Sequence, residues 1–235
     1  CSGGDKEQLK QLVKDGVSYA TDLGMYVIVD WHILSDGDPN QNKDEAIAFF
    51  KEMAETFTNN DNVLYEICNE PNGGTSWESI KAYAEEVMPV IREKRPDAVI
   101  LVGTPTWSQE IDKAAESPLE DKNVMYTLHF YAGTHKDDLR NRLESYAQNG
   151  LPIFVSEFGM CDASGNGAND FESTTKWLDL LNKYQISFMC WNLANKDESS
   201  SVFRANSTKI SDWTEEDLSE AGQWIKAYFK NRSYQ

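Results

Sequence analysis

Two glutamates suggest the chemistry. In VLYEICNEPNG, residues 63–73, an apolar run ends at Glu70, set against Pro71; in PIFVSEFG, residues 152–159, a second run carries Glu157. Desolvating a carboxylate at the end of a buried strand is costly, so such a placement calls for a use. Hydrolysis of an acetal supplies one. It needs an acid for the leaving oxygen and a partner for the anomeric carbon. Two carboxyl groups about 5–5.5 Å apart do both with retention, and roughly 6.5–9.5 Å apart with inversion. A single strand-end glutamate is ordinarily a solvated charge; two in these contexts favour catalysis. Strand alternation gives Glu66, Cys68 and Glu70 one parity. A buried Glu66 would need a hydrogen-bonding partner, and we read it as structural. His129 and Tyr131 also share a parity and can address the same end of their strand.

These residues must be positioned by something, and the chain alternates helix and strand. Leu9, Leu12, Val13, Val17 and Ala20 recur at helical spacing in residues 5–23, with Asp5 as cap and Gly24 as stop. MYVIVDWH reads as a strand. A helix over 43–58 carries Ile47, Phe50, Ala54 and Phe57 on one face. NVLYEICNE is the next strand, and Thr75 with Glu78 forms a capping box for a helix through Arg92. The strands AVILVG, VMYTLHFY, PIFVSEFG and ISFMCWNLA follow, with helices expected near 108–116, 136–148, 169–183 and 214–230.

Apolar strands separated by helices imply a parallel sheet covered by helices. No Gly-rich phosphate loop follows the first strand, which disfavours a dinucleotide-binding sheet. Polar and aromatic residues collect at strand C-terminal ends, where a (β/α)8 TIM barrel builds its active site. The count is six strands, against the eight such a barrel needs. Residues 1–235 therefore read as a single catalytic domain, the C-terminal portion of a barrel lacking its first two strands. Roughly 60–90 residues, in the same or another chain, would close it. On this reading the CSGG start, which in isolation resembles a processed lipoprotein, falls inside the second βα unit.

Composition narrows the partners. A formal net charge of −17 argues against nucleic acid and anionic membranes. It is compatible with a neutral polymer. No apolar run approaches a membrane span. Cys1, Cys68, Cys161 and Cys190 show no CxxC spacing, and His32, His129 and His135 form no HxH or HExxH pattern, so neither a metal nor another cofactor is expected. Cys68 and Cys190 read as core residues, His135 as a loop residue, and ASGNGAND as a solvent loop or cleft rim. Trp77, Trp177, Trp213 and Trp224 read as packing.

The segments DWHIL, YEICNEPNG, HFYAGTH, VSEFG and WNLANKDES follow one another in the order and spacing of glycoside hydrolase family 5, and the chain resembles its bacterial endoglucanases from about residue 5 to 230. The resemblance implies Glu70 as acid/base and Glu157 as nucleophile. It implies Asn69 on the sugar 2-hydroxyl, Tyr131 holding the nucleophile, His129 beside the acid/base, and His32 on the sugar at the cleavage site. Trp191 would be a platform under that sugar, with Lys196 and Glu198 binding hydroxyls one sugar further on and Trp107 a leaving-group-side platform. The implied activity is retaining endo-hydrolysis of β-1,4-glucosidic bonds by a secreted or cell-surface bacterial protein. A β-mannanase or xyloglucanase on the same frame, or a non-catalytic carbohydrate-binding remnant, is the alternative. The family also uses an arginine near the end of its second strand. The region that would carry it is absent here, which implies that this chain alone is poorly active or inactive.

Overall fold

The computed structural model describes residues 4–232; Cys1 lies outside them. The chain divides into two compact units, one reaching to Thr127 and one starting at Leu128. Among the described residues six parallel strands run in chain order β1-β2-β3-β4-β5-β6. They are β1 (Val27–Asp30), β2 (Val63–Glu66), β3 (Ile100–Gly103), β4 (Val124–Tyr131), β5 (Ile153–Gly159) and β6 (Phe188–Cys190).

In the first unit, α1 (Lys6–Asp22) is capped by Asp5, whose carboxylate accepts from the Glu7 and Gln8 amides. Val27 pairs with Val63, Tyr65 with Ile100, and Ile100 with Val124. Between them α2 (Lys43–Thr56) and α3 (Trp77–Arg92) supply the cover, burying Ala46, Phe50, Met53 and Ala54 from one and Ile80, Tyr83, Ala84, Val87 and Ile91 from the other. Ile47 is only half-buried. The cap of α3 is Ser76, which accepts from the Ser79 amide. The expected Thr75 cap is displaced because the Thr75 hydroxyl donates to the carbonyls of Gly37 and Asn72. The buried Arg95, after α3, donates to the carbonyls of Phe57 and Thr58, just past the end of α2.

The helix expected from residue 108 starts later. Pro105–Ser108 (α4) is a single turn with left-handed backbone, and α5 covers Ile111–Glu116.

In the second unit, α6 (Asp137–Gln148), α7 (Phe171–Lys183) and α8 (Glu220–Asn231) follow β4, β5 and β6. Its centre is aromatic. Phe130 stacks on Trp177 at 4.0 Å and on Phe158 at 5.2 Å, and the Arg140 guanidinium lies 5.5 Å from the Trp177 ring. The last expected helix is split: Thr214–Asp217 forms a capping box on a separate 3₁₀ turn, and Ser219 caps α8. Trp77 and Trp177 are buried, and Trp224 stacks between Phe171 and Tyr228. Trp213 departs from the packing expectation, as 44% of it is exposed. Among the described residues no helix is long and apolar enough to cross a membrane.

Candidate active site

In the first unit the candidate residues follow β1, β2 and β3. Strand β2 ends at Glu66, so Glu70 lies beyond it rather than at its last residue. Backbone bonding nevertheless continues. Ile67 donates to the Leu101 carbonyl, Asn69 to that of Trp31, and Gly103 to that of Cys68. This irregular extension delivers Asn69, buried, and Glu70, half-buried. It needs a glycine on β3, because a Cβ at Gly103 would sit 2.3 Å from the Cys68 carbonyl oxygen and 2.8 Å from Pro71 Cδ.

His32 is held by Asp30. The carboxylate oxygen Oδ2 lies 2.7 Å from His32 Nδ1. An ionised carboxylate only accepts, so Nδ1 carries a proton. Asn69 Nδ2 approaches His32 Nε2 at 3.4 Å and donates to the Ile33 carbonyl at 3.3 Å. Asp30 is a candidate site residue the sequence reading missed, by its contact with His32. Its signal was the i, i+2 spacing in DWH, which places both side chains on one face. Glu66, 3% exposed, accepts from the Thr127 hydroxyl at 3.2 Å, the partner its burial requires.

Trp107 is half-exposed and sits on three successive left-handed residues: Thr106 at φ 57°, Trp107 at 54° and Ser108 at 54°. Such backbone costs of order 1–3 kcal/mol per residue and persists where surroundings over-determine it. Here the Trp107 amide donates to the Pro71 carbonyl, and the Ser108 hydroxyl to that of Asn69 at 2.7 Å. The turn carrying Trp107 is thus tied to the two residues that flank Glu70.

In the second unit Glu157 lies within β5 and is 7% exposed. The Tyr131 hydroxyl donates to its Oε1 at 2.6 Å, a charge-assisted bond that favours the ionised carboxylate. Gly159 makes room for the tyrosine ring; a Cβ there would lie 2.2 Å from Tyr131 Cδ1. His129, buried, has Nε2 2.9 Å from the Ser156 hydroxyl, a partner the sequence reading missed. His135 is a loop residue as expected, and it fixes Tyr131: its Nδ1 accepts from the Tyr131 amide, while its carbonyl accepts from Trp177 Nε1.

The Trp191 amide donates to the Phe158 carbonyl, and the peptide following Trp191 is cis. Beyond it Lys196 Nζ stands 3.7 Å from Glu198 Oε2 on the same loop. Burial pushes the thiol of Cys161 up to about 11 and that of Cys190 up to about 12, and raises that of Cys68 too. These thiols are protonated near neutrality, so they are poor nucleophiles.

Parallel strands alternating with helices, with polar side chains gathered at or just past the strand ends, make up part of a (β/α)8 barrel. A family model described as Cellulase (glycosyl hydrolase family 5) matches residues 2–197, and the chain belongs to that family. It is similar to endoglucanase A of Butyrivibrio fibrisolvens, at 50% identity over 94% of this chain and 51% of that protein. An endoglucanase of Clostridium saccharobutylicum is 47% identical over 94% of this chain and 49% of its own length. The chain thus spans about half the length of these curated relatives. Among solved structures, cellulase Cel5C_n superposes with a TM-score of 0.93 at 43% identity, covering 97% of this chain and 71% of the other. A variant of the Thermobifida fusca endoglucanase Cel5A (E5) catalytic domain in complex with cellotetraose gives 0.92 at 40% identity, covering 97% and 76%.

Proposed function

We propose that this chain carries the catalytic centre of a retaining endo-β-1,4-glucanase, and that both compact units belong to one catalytic domain. Glu157 attacks the anomeric carbon, and Glu70 gives its proton to the departing glycosidic oxygen. The covalent glycosyl-enzyme then yields to water: Glu70 takes a water proton, the oxygen attacks the same carbon, and the Glu157 carboxylate leaves. Asn69 binds the 2-hydroxyl, His32 the sugar at the cleavage site, and His129 assists the proton cycling of Glu70. Trp191 underlies the sugar at the cleavage site, while Lys196 and Glu198 bind the next one and Trp107 the leaving-group side.

The observation that carries this reading is the Tyr131–Glu157 hydrogen bond at 2.6 Å. It equips a buried carboxylate to stay ionised, as a nucleophile must. Asp30 supports it from the first unit by holding the His32 Nδ1 proton. Cellotetraose, the ligand of the Thermobifida fusca structure, is a substrate fragment of the expected type. The two further βα units of the barrel are supplied by additional polypeptide, in the same chain or another. The protein works outside the cell or at its surface, where its polymer is found.

A fluorosugar inactivator that stalls the second step tests the assignment. Peptide mass spectrometry should find the label on Glu157. Labelling of Glu66 or Glu70 overturns it.

A further inference from the structure

A cleft of ≈ 370 Å³ lies in the second unit, apart from the carboxylates. Leu193, Ala194 and Asn195, on the loop that leaves Trp191, line it together with Thr208, Ile210 and Trp213. Its volume falls within the usual range for small-ligand sites. Leu193 is 78% exposed and Ile210 91%. Three large apolar side chains, these two and Trp213, thus open onto one recess, and a patch of that kind calls for an occupant.

Trp213 is held as a platform. One side of its indole stacks on Phe203, with ring centroids 4.7 Å apart and planes 30° apart, and Nε1 donates to the Lys209 carbonyl at 3.0 Å. The loop behind it is tied at several points. Asp217 accepts from Lys209 Nζ at 2.6 Å, from the Thr214 amide at 2.7 Å and from the Ser207 hydroxyl at 3.2 Å. Asn195 Nδ2 donates to the Ser207 carbonyl, joining the two lining segments, and the Phe203 amide donates to the Ala194 carbonyl. A ring fixed this way loses little entropy on binding.

The chemistry of the cleft selects its ligand. The Lys209 ammonium is already paired with Asp217, so the lining offers an aromatic face, aliphatic edges and neutral hydroxyl and amide groups. Pyranose rings have matching surfaces, apolar C–H faces and hydroxyl rims. The net charge of −17 disfavours anionic ligands. The lining is continuous in sequence with Trp191, two residues before Leu193. We propose that Trp213 and the cleft it lines form an outer subsite that binds a glucosyl unit of the polysaccharide, beyond those held by Trp191, Lys196 and Glu198. The inference rests on the endoglucanase reading and adds to it a determinant of chain-length preference.

Binding measured by calorimetry in a Glu157→Gln background, which blocks turnover, tests the subsite with cellotriose and cellohexaose as probes. The parent should bind the hexaose more tightly than the triose. Trp213→Ala should remove roughly three- to tenfold of that advantage, the worth of one aromatic stacking contact. Trp213→Phe, which keeps a flat ring, should retain most of it. Ile210→Glu gives the same test at a solvent-exposed position if Trp213→Ala fails to fold, and should weaken hexaose binding while triose binding holds. A merely structural Trp213 would lower Tm and leave the hexaose-to-triose ratio intact. Parent-like ratios in the folded variants overturn the subsite and leave the endoglucanase reading standing. A parent that binds neither sugar overturns that reading as well.

Discussion

Tyr131 supplies one hydrogen atom to the proposed chemistry, and its removal is a clean subtraction. Tyr131→Phe keeps the buried ring that Gly159 accommodates and deletes only the hydroxyl at 2.6 Å from Glu157. A hydrogen bond to a charged group contributes about 1.5–3 kcal/mol. The variant should therefore lose on the order of tenfold to a hundredfold in kcat/KM, with Tm little changed. Steady-state kinetics on a cellobioside reporter checks this, and full retention of activity would remove Tyr131 from the nucleophile's support. Glu70, Glu157 and Asn69 are legible in sequence because a polar residue closing an apolar run stands out in one dimension. Asp30 and Ser156 are less so. Ser156 meets His129 only across neighbouring strands, and Asp30 acquires its role only once His32 turns Nδ1 toward it.

Between elements, the critical contact is the passage of β3 under the segment from Cys68 to Pro71. Gly103→Ala places a methyl 2.3 Å from the Cys68 carbonyl oxygen, which real Cβ atoms do not tolerate, so one backbone must shift. Overpacking of this sort costs typically about 1–3 kcal/mol. The displaced segment carries Asn69 and Glu70, so denaturant unfolding should show the stability loss and turnover should fall by more than that loss explains. An unchanged activity in a destabilised protein would mean that the segment moves freely of its support. The helices and strands themselves follow from apolar spacing, and their existence is readable from the sequence. Their ends are less so, because caps are decided by competition. Thr75 and Ser76 are both acceptable N-caps, and tertiary bonds to Gly37 and Asn72 claim the first. Likewise the left-handed turn at Thr106–Ser108 contains no glycine and has no sequence signal; contacts with Asn69 and Pro71 impose it.

For the whole molecule, the large negative charge and the paired carboxylates pull stability in opposite directions with pH. At neutrality a net charge of −17 makes the folded chain repel itself, and lowering pH relieves this first. Several carboxyls are held below their ordinary range by specific partners: Asp217 by Lys209 and the Thr214 amide, Asp137 by Arg140, Asp170 by Lys136, Glu144 by Lys183, and Glu52 by Lys10 and Lys14. A carboxyl depressed in the folded state contributes stability that is complete above its unfolded value, about 3.9 for Asp and 4.3 for Glu. That contribution fades as pH falls through the lower folded value. The relief of repulsion accrues as pH falls toward the isoelectric point of about 4.5, and the loss of paired carboxylates sets in near pH 4. Tm followed by calorimetry should hold or rise from pH 7 to about 5 and fall steeply below about 4. Asp217→Asn should lower Tm at pH 7, where the pair with Lys209 is intact, and change it less at pH 3, below the ordinary aspartate value, where the unfolded chain takes up the proton that the folded carboxylate still resists. A Tm that declines steadily from pH 7 to 5 would show that self-repulsion is too weak to matter. An Asp217→Asn deficit as large at pH 3 as at pH 7 would show that the side chain acts through shape and not through charge.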